Sequence, residues 1–320
     1  MNLQQSSYRR LARNAFTALA LAGTLGACAV TPDAPTASET VSAAEPESLG
    51  EERIATILDL VGTAMREERH SDARELLERA LLHEPRHERL RLANAELMLA
   101  SGDLRPARDA FKHLEEEAES SAVQVNARQG QGLSAILLDR PEEARAKLNA
   151  AVAEDRGLWR AWNGLGVLAD RDGDWREAET HYTTALDAAP GTPVLHNNRG
   201  YSRLLQGRTE AAIADFEAAL EERPGFAAAR ENLRLAYAWK GRYAFATAGM
   251  SEREKGRVLN NIGYVALLRG DHRNAEAYLQ QAMEADALFN QSAHKNMTYL
   301  KSLRETADKP EKASGQALIQ

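Results

Sequence analysis

The feature that most constrains this chain is a 34-residue period. Glycines stand at Gly132, Gly166 and Gly200, and alanines at Ala144, Ala178, Ala212 and Ala246, each series 34 apart. A second alanine series runs Ala151, Ala185, Ala219; prolines close units at Pro85, Pro190 and Pro224; turn glycines recur at Gly173, Gly207 and Gly241. A fixed period of this length means a supersecondary unit that cannot bury its own apolar face and must stack on copies of itself. Small residues at the glycine and first alanine positions let two helices approach closely, and large residues beside them fill the remaining space. The proline ends the second helix of each unit.

The clearest unit, WNGLGVLADRDGDWREAETHYTTALDAAP from Trp162 to Pro190, resembles the tetratricopeptide repeat (TPR) at Trp162, Leu165, Gly166, Ala169, Ala178, Tyr182, Ala185 and Pro190. The resemblance implies an all-α fold: a right-handed TPR superhelical solenoid of about seven helix pairs with a C-terminal capping helix. The units are 54–87, 88–121, 125–158, 159–192, 193–226, 227–255 and 256–289, with three residues inserted before the third and the sixth short by five. Gln131 and Arg199 stand where leucine is usual, and Arg234 replaces the glycine. Trp162, Trp175, Tyr182, Phe216 and Tyr237 read as packing residues. Asn290 to Glu305 reads as the cap, since an open solenoid end needs a polar outer face.

Composition agrees. Of 320 residues 43% are hydrophobic, 27% charged and only 6% aromatic, which suits helix packed closely on helix. A net charge of −7 argues against nucleic acid, whose phosphates need a basic face. A single cysteine, Cys28, excludes an internal disulfide framework.

That cysteine has a position of its own. Arg9, Arg10 and Arg13 form a basic n-region, and Ala15 to Gly26 an apolar stretch too short to span a bilayer. Leu25-Gly26-Ala27-Cys28 then resembles the lipobox of bacterial lipoproteins. The expected division is a signal peptide over 1–27, a lipidated cysteine and flexible tether over 28–53, the solenoid over 54–305 and a disordered tail over 306–320. Residues 29–50 contain three prolines, several Ser and Thr and almost no large apolar side chains to offset chain entropy. The lipoprotein resemblance, with Ala29 after the cysteine, implies an outer-membrane lipoprotein on the periplasmic face.

No motif argues for an enzyme. His83-Glu84-Pro85-Arg86-His87 satisfies the zinc-protease pattern H-E-x-x-H, but that chemistry needs both histidines on one face of a continuous helix, and Pro85 sits between them. The remaining histidines are scattered, and no nucleophile elbow or phosphate loop is present. No metal, cofactor or small-molecule substrate is expected.

The TPR resemblance places a binding groove on the first helix of each unit, at unit positions 2, 5, 9, 12 and 13. Counting gives Asn163, Asn197, Tyr201, Leu204, Glu231, Trp239, Asn260 and Tyr264 as candidate peptide-binding residues. Asparagine recurs at position 5 in three units; its amide can donate and accept, which suits a peptide backbone. The basic clamp by which some TPR proteins hold a C-terminal carboxylate is not evident, the third unit offering Gln129 and Leu133.

A narrower resemblance lies in the last units. A short sixth unit precedes NNIGYVALLRGD (Asn260 to Asp271), and AHKNMTYL (Ala293 to Leu300) follows. This is similar to the TadD family of TPR lipoproteins in Tad/Flp-type pilus assembly. It implies a pilotin-like assembly factor whose protein clients are the outer-membrane pilus secretin and other Tad components. The alternative is an envelope scaffold that recruits peptidoglycan hydrolases or other periplasmic enzymes.

Overall fold

The computed structural model describes residues 49–285 and 287–307. Cys28, the leader, most of the tether and the tail beyond 307 lie outside the described residues. Among those described, every regular element is an α-helix. The chain runs α1 (Glu51–Arg66), α2 (His70–His83), α3 (Glu88–Ala100), α4 (Leu104–Glu117), α5 (Ser121–Leu137), α6 (Pro141–Glu154), α7 (Trp159–Asp172) and α8 (Trp175–Ala188). It continues through α9 (Pro193–Leu205), α10 (Thr209–Glu222), α11 (Ala227–Trp239), α12 (Tyr243–Thr247), α13 (Lys255–Leu268), α14 (His272–Ala285) and α15 (Ala287–Ala307). None is long and apolar enough to cross a membrane.

The seven-unit ruler is visible in the backbone. The fifteenth residue of every unit has a positive φ: Glu68, Gly102, Asp139, Gly173, Gly207, Gly241 and Gly270. This residue turns the chain from the first helix of a unit into the second, and the left-handed conformation is the ordinary way to stop a helix sharply. Five units use glycine there. Glu68 (φ 59) and Asp139 (φ 57) adopt the same conformation with a side chain, at a cost of about 1–2 kcal/mol.

Packing follows the same ruler. The twentieth residue is alanine in all seven units, and Ala73, Ala107, Ala144, Ala178, Ala212, Ala246 and Ala275 are all fully buried. Four positions later comes a large buried side chain: Leu77, Phe111, Leu148, Tyr182, Phe216 and Leu279 in the six complete units. Each contributes about 1.5–3 kcal/mol by leaving water. The helical glycines exist for these side chains. A Cβ on Gly166 would lie 2.7 Å from the Tyr182 ring, and one on Gly263 would lie 2.8 Å from Leu279 Cγ.

The sixth unit shows the rule by breaking it. Its second helix, α12, has five residues where the others have fourteen. With no full helix to approach, the glycine position can hold Arg234. The guanidinium is buried and donates from Nη1 to the carbonyl of Ala246 at 3.1 Å, closing the end of the short helix. Burial pushes the Arg234 pKa below its usual value.

The described residues form two compact units, 49–194 and 195–307. In the first, α1 to α8 pair in sequence, and α5 packs against α3, α4, α6 and α7. In the second, α13, α14 and α15 enclose a core of Val258, Ile262, Leu279, Ala293 and Leu300. The first helix starts at Glu51, three residues before the expected boundary. Gly50 is extended and caps it, Glu51 and Glu52 suit the positive helix end, and buried Leu49 donates its N–H to Glu84 Oε1 at 2.9 Å. The final helix is longer than the expected cap, reaching from 287 to 307.

Candidate functional site

Asparagine at position 5 was expected to face a client. The structure instead buries Asn163 (1% exposed), Asn197 (2%) and Asn260 (8%). In the C-terminal unit Asn197 and Asn260 form amide links to neighbouring first helices and the final helix. Asn232 Nδ2 on α11 donates to Asn197 Oδ1 on α9 at 2.9 Å, and Asn296 Nδ2 on α15 donates to Asn260 Oδ1 on α13 at 3.0 Å. Asn197 donates onward to Asn198 Oδ1 at 3.2 Å. Small residues at the helix contacts bring the axes close enough for short amides to bridge them. A buried amide unable to bond in this way would cost about 1–3 kcal/mol. The sequence showed the acceptors but not their donors, because Asn232 and Asn296 lie one and two positions off the ruler.

Leu204 and Trp239 are also core residues, at 4% and 6% exposed. Their positions point along the helix seam, where apolar burial wins. Of the eight candidates, Tyr201, Glu231 and Tyr264 are half-buried. Both tyrosines rest against the C-terminal core. Glu231 Oε2 meets Arg257 Nη1 of the next first helix at 2.6 Å. These three side chains, two aromatic and one charged, are the accessible part of the expected groove in this unit. Such a surface can hold a peptide by ring contact and charge.

Among the five aromatics read as packing residues, Tyr182 and Phe216 are buried. Tyr182 donates its hydroxyl to Asp170 Oδ2 at 2.9 Å, and its pKa is pushed far up by burial and by the Asp170 charge. Trp162, Trp175 and Tyr237 are half-buried. Trp162 stacks on His181 with ring centroids 5.5 Å apart and donates to the carbonyl of Arg156.

Gln131 and Arg199, the departures from leucine, each face an acid sixteen residues away. Arg199 clasps Asp215 through two bonds of 2.7 and 3.1 Å, and Arg203 adds a third of 2.8 Å. Burial would raise the Asp215 carboxyl; His196 and Arg199 beside it, with the Arg199 and Arg203 charges, hold it below the usual carboxylate range. Gln131 in the N-terminal unit donates to Glu115, which also takes Arg128 Nε at 2.7 Å and Lys147 Nζ at 2.6 Å. Burial works against the Glu115 charge, and these three donors outweigh it, so its pKa is lowered. The cluster edges a polar cavity of about 620 Å³ that also touches Arg108, Lys112 and Glu143.

His83-Glu84-Pro85-Arg86-His87 lies across a helix junction. His83 ends α2, and His87 caps α3 by accepting from Leu90 N with Nδ1 at 3.4 Å. Among the described residues no three His, Cys, Asp or Glu side chains gather where a metal could be held.

Comparison with known proteins follows the same ruler. Family models described as tetratricopeptide repeat match residues 64–128, 130–193, 194–226 and 256–287, more than half the chain, and skip the shortened sixth unit. The chain is a tetratricopeptide-repeat protein. The chain shares 35% identity over 88 residues with Protein FlbA of Caulobacter vibrioides, spanning 28% of this chain and 15% of that protein. The APC/C hetero-tetramer Cut9-Hcn1 is similar in fold, with a TM-score of 0.51 at 15% identity over 75% of this chain and 55% of that one. Pseudomonas aeruginosa PilF gives a TM-score of 0.49 at 17% identity over 65% of this chain and 96% of that one. TPR repeats make this a protein-binding scaffold fold.

Proposed function

We propose that this TPR protein is an outer-membrane lipoprotein, anchored through Cys28, that serves as a pilotin-like assembly factor for a Tad/Flp-type pilus machine. Its clients are the pilus secretin and other assembly components, and it is not an enzyme. The observation that carries the reading is the sixth repeat. The resemblance to the TadD family rests on a short sixth unit before NNIGYVALLRGD (Asn260 to Asp271) and on AHKNMTYL (Ala293 to Leu300) after it, and the five-residue second helix of that unit is consistent with it. The physical requirements of the role fit. A lipid anchor places the protein at the membrane where a secretin assembles, and two or more acyl chains give stable attachment. The half-buried Tyr201, Glu231 and Tyr264 offer a client a mixed aromatic and charged surface.

The test is made in the parent cell. Loss of the protein should leave the pilus secretin unassembled or away from the outer membrane, and Cys28→Ser should reproduce that loss. Normal secretin multimers in the deletion strain would overturn the reading. Misplaced peptidoglycan hydrolases, with the secretin normal, would move the function to envelope-enzyme scaffolding.

A further inference from the structure

We propose that the sixth repeat carries a second protein-docking surface, on the side of α11 where its own second helix is cut short, and that the occupant is an acidic amphipathic helix of another protein, held by Arg230 and Phe245. It goes beyond the surface of Tyr201, Glu231 and Tyr264 proposed above.

The other repeats show what belongs there. Every complete second helix runs from position 17 to position 30 of its unit, whereas α12 stops at position 21. The later positions are the ones that answer position 4 of the first helix. In the second repeat Arg91 Nη2 donates to Glu117 Oε2 at 2.9 Å, and in the third Arg128 Nη1 donates to Glu154. In the fourth Trp162 stacks on His181, and in the fifth His196 Nδ1 lies 3.9 Å from Asp215 Oδ1. All four counterparts stand at position 23 or 30. In the sixth repeat position 4 is Arg230, and residues 248–254, which follow α12, form no helix. Among the described residues the Arg230 side chain has no hydrogen bond and no ion pair.

Arg230 is half-buried and stands one turn before Arg234 and two before Tyr237, so the three share one face of α11. Burial lowers the Arg234 pKa; the Glu254 and Glu231 charges act against this, and the Arg230 and Arg257 charges act with it. Both of those acids are already engaged. Glu231 meets Arg257 at 2.6 Å, and Glu254 accepts from the N–H and hydroxyl of Ser251 at 3.2 and 2.8 Å. Two turns along, the Tyr237 ring lies 5.3 Å from that of Phe245, which is 61% exposed although Tyr243 and Ala246 of the same short helix are buried. Two turns of helix span about 10 Å. A helix running back along α11, as the complete second helices do, would set an apolar side chain on Phe245 and, two turns later, a carboxylate on Arg230. Glutamate is this chain's own answer to an arginine at position 4, in Glu117 and Glu154. Arg234 fills the inner layer where other repeats have glycine, so the partner helix carries no large side chain at that height.

Fluorescence anisotropy on the full chain tests this with a labelled, stapled helix of alanine and glutamine, blocked at both ends. It carries two leucines and, two turns later on the same face, two glutamates. One control replaces the glutamates with glutamines, and another moves them to the opposite face. The acidic helix should bind saturably, and both controls about fivefold or more weakly. Arg230→Gln and Phe245→Ala should each weaken binding about fivefold, with helix content unchanged by circular dichroism. Arg230→Glu should reverse the preference and bind a lysine version of the helix better than the glutamate version. Tyr201→Ala/Tyr264→Ala should bind it as wild type does. No saturable binding, equal binding of the face-shifted control, or Arg230→Gln without loss overturns the surface. A loss in Tyr201→Ala/Tyr264→Ala as large as in Arg230→Gln overturns its separation from the first-helix surface. Sedimentation showing a dimer that Arg230→Gln dissolves would give the place to a second copy, and tighter binding after removal of residues 308–320 would give it to the chain's own end. Either result overturns the assignment to another protein.

Discussion

Arg199→Leu would restore the residue that TPR units ordinarily carry at that position, and it should destabilise this chain. Asp215 is the reason. Its side chain is 5% exposed, and Arg199 holds both oxygens while Arg203 holds one. A hydrogen bond to a charged partner contributes about 1.5–3 kcal/mol net. Leucine would recover part of that, because the arginine site is already 83% sheltered, but the arginine stem buries much of the same area; about 1 kcal/mol is a fair gain. The net expectation is a loss of about 1–2 kcal/mol. Asp215→Ala leaves two guanidiniums without their carboxylate and should cost more, about 2–4 kcal/mol, short of the fully buried limit because both arginines touch solvent. The double variant should cost less than the sum, with a coupling of about 1.5–3 kcal/mol. Urea unfolding of the full chain, followed by circular dichroism, reads all four corners of the cycle. Arg199→Leu as stable as wild type, or a coupling below about 0.5 kcal/mol, would refute the reasoning.

Glu68→Gly should stabilise by about 0.5–1 kcal/mol, since relief of a left-handed side chain exceeds the entropy glycine adds to the unfolded chain; a lower urea midpoint would count against it. Tyr182→Phe should cost about 1.5–3 kcal/mol in the same assay, because it removes a donor from buried Asp170 and leaves the ring in place. Glu115 and Asp215 have lowered pKa values, so their charged forms favour the folded state. That stability is present above the ordinary carboxylate pKa of about 4 and is lost as pH falls through the lower folded values. Asp215→Asn should therefore flatten the decline of the urea midpoint below about pH 4.

The period named the turns at Gly173, Gly207 and Gly241, and the other four fall at the same place in their units, two of them on Glu68 and Asp139 where no glycine marks them. Such reading works because a glycine, an alanine and a large side chain must meet at fixed heights on two helices, so composition at those heights is forced. Groove residues are not forced in this way. Asn197 and Asn260 occupy ruler positions that face inward once the axes come within amide reach; Asn232 stands one position over, where asparagine also recurs at Asn198 and Asn261, and Asn296 lies beyond the last unit. Arg234 was legible as a departure, but its role needed the length of α12. Gln131 and Arg199 were legible as exceptions, while Glu115 precedes the first and Asp215 follows the second, so no single spacing rule finds both. Glu96 and Arg160 lie 64 residues apart, and only the stacked helices bring them together.

The proposed function requires that a first-helix surface of this TPR chain hold a pilus-assembly client. In-cell cross-linking and affinity capture of the full chain, wild type beside Tyr201→Ala/Tyr264→Ala, tests it most directly. The account predicts that the pilus secretin or its assembly partners are recovered with wild type and lost with the double variant, whose helix content and urea midpoint show it folded. Undiminished recovery by the folded double variant, or recovery of peptidoglycan hydrolases in place of pilus components, would contradict it.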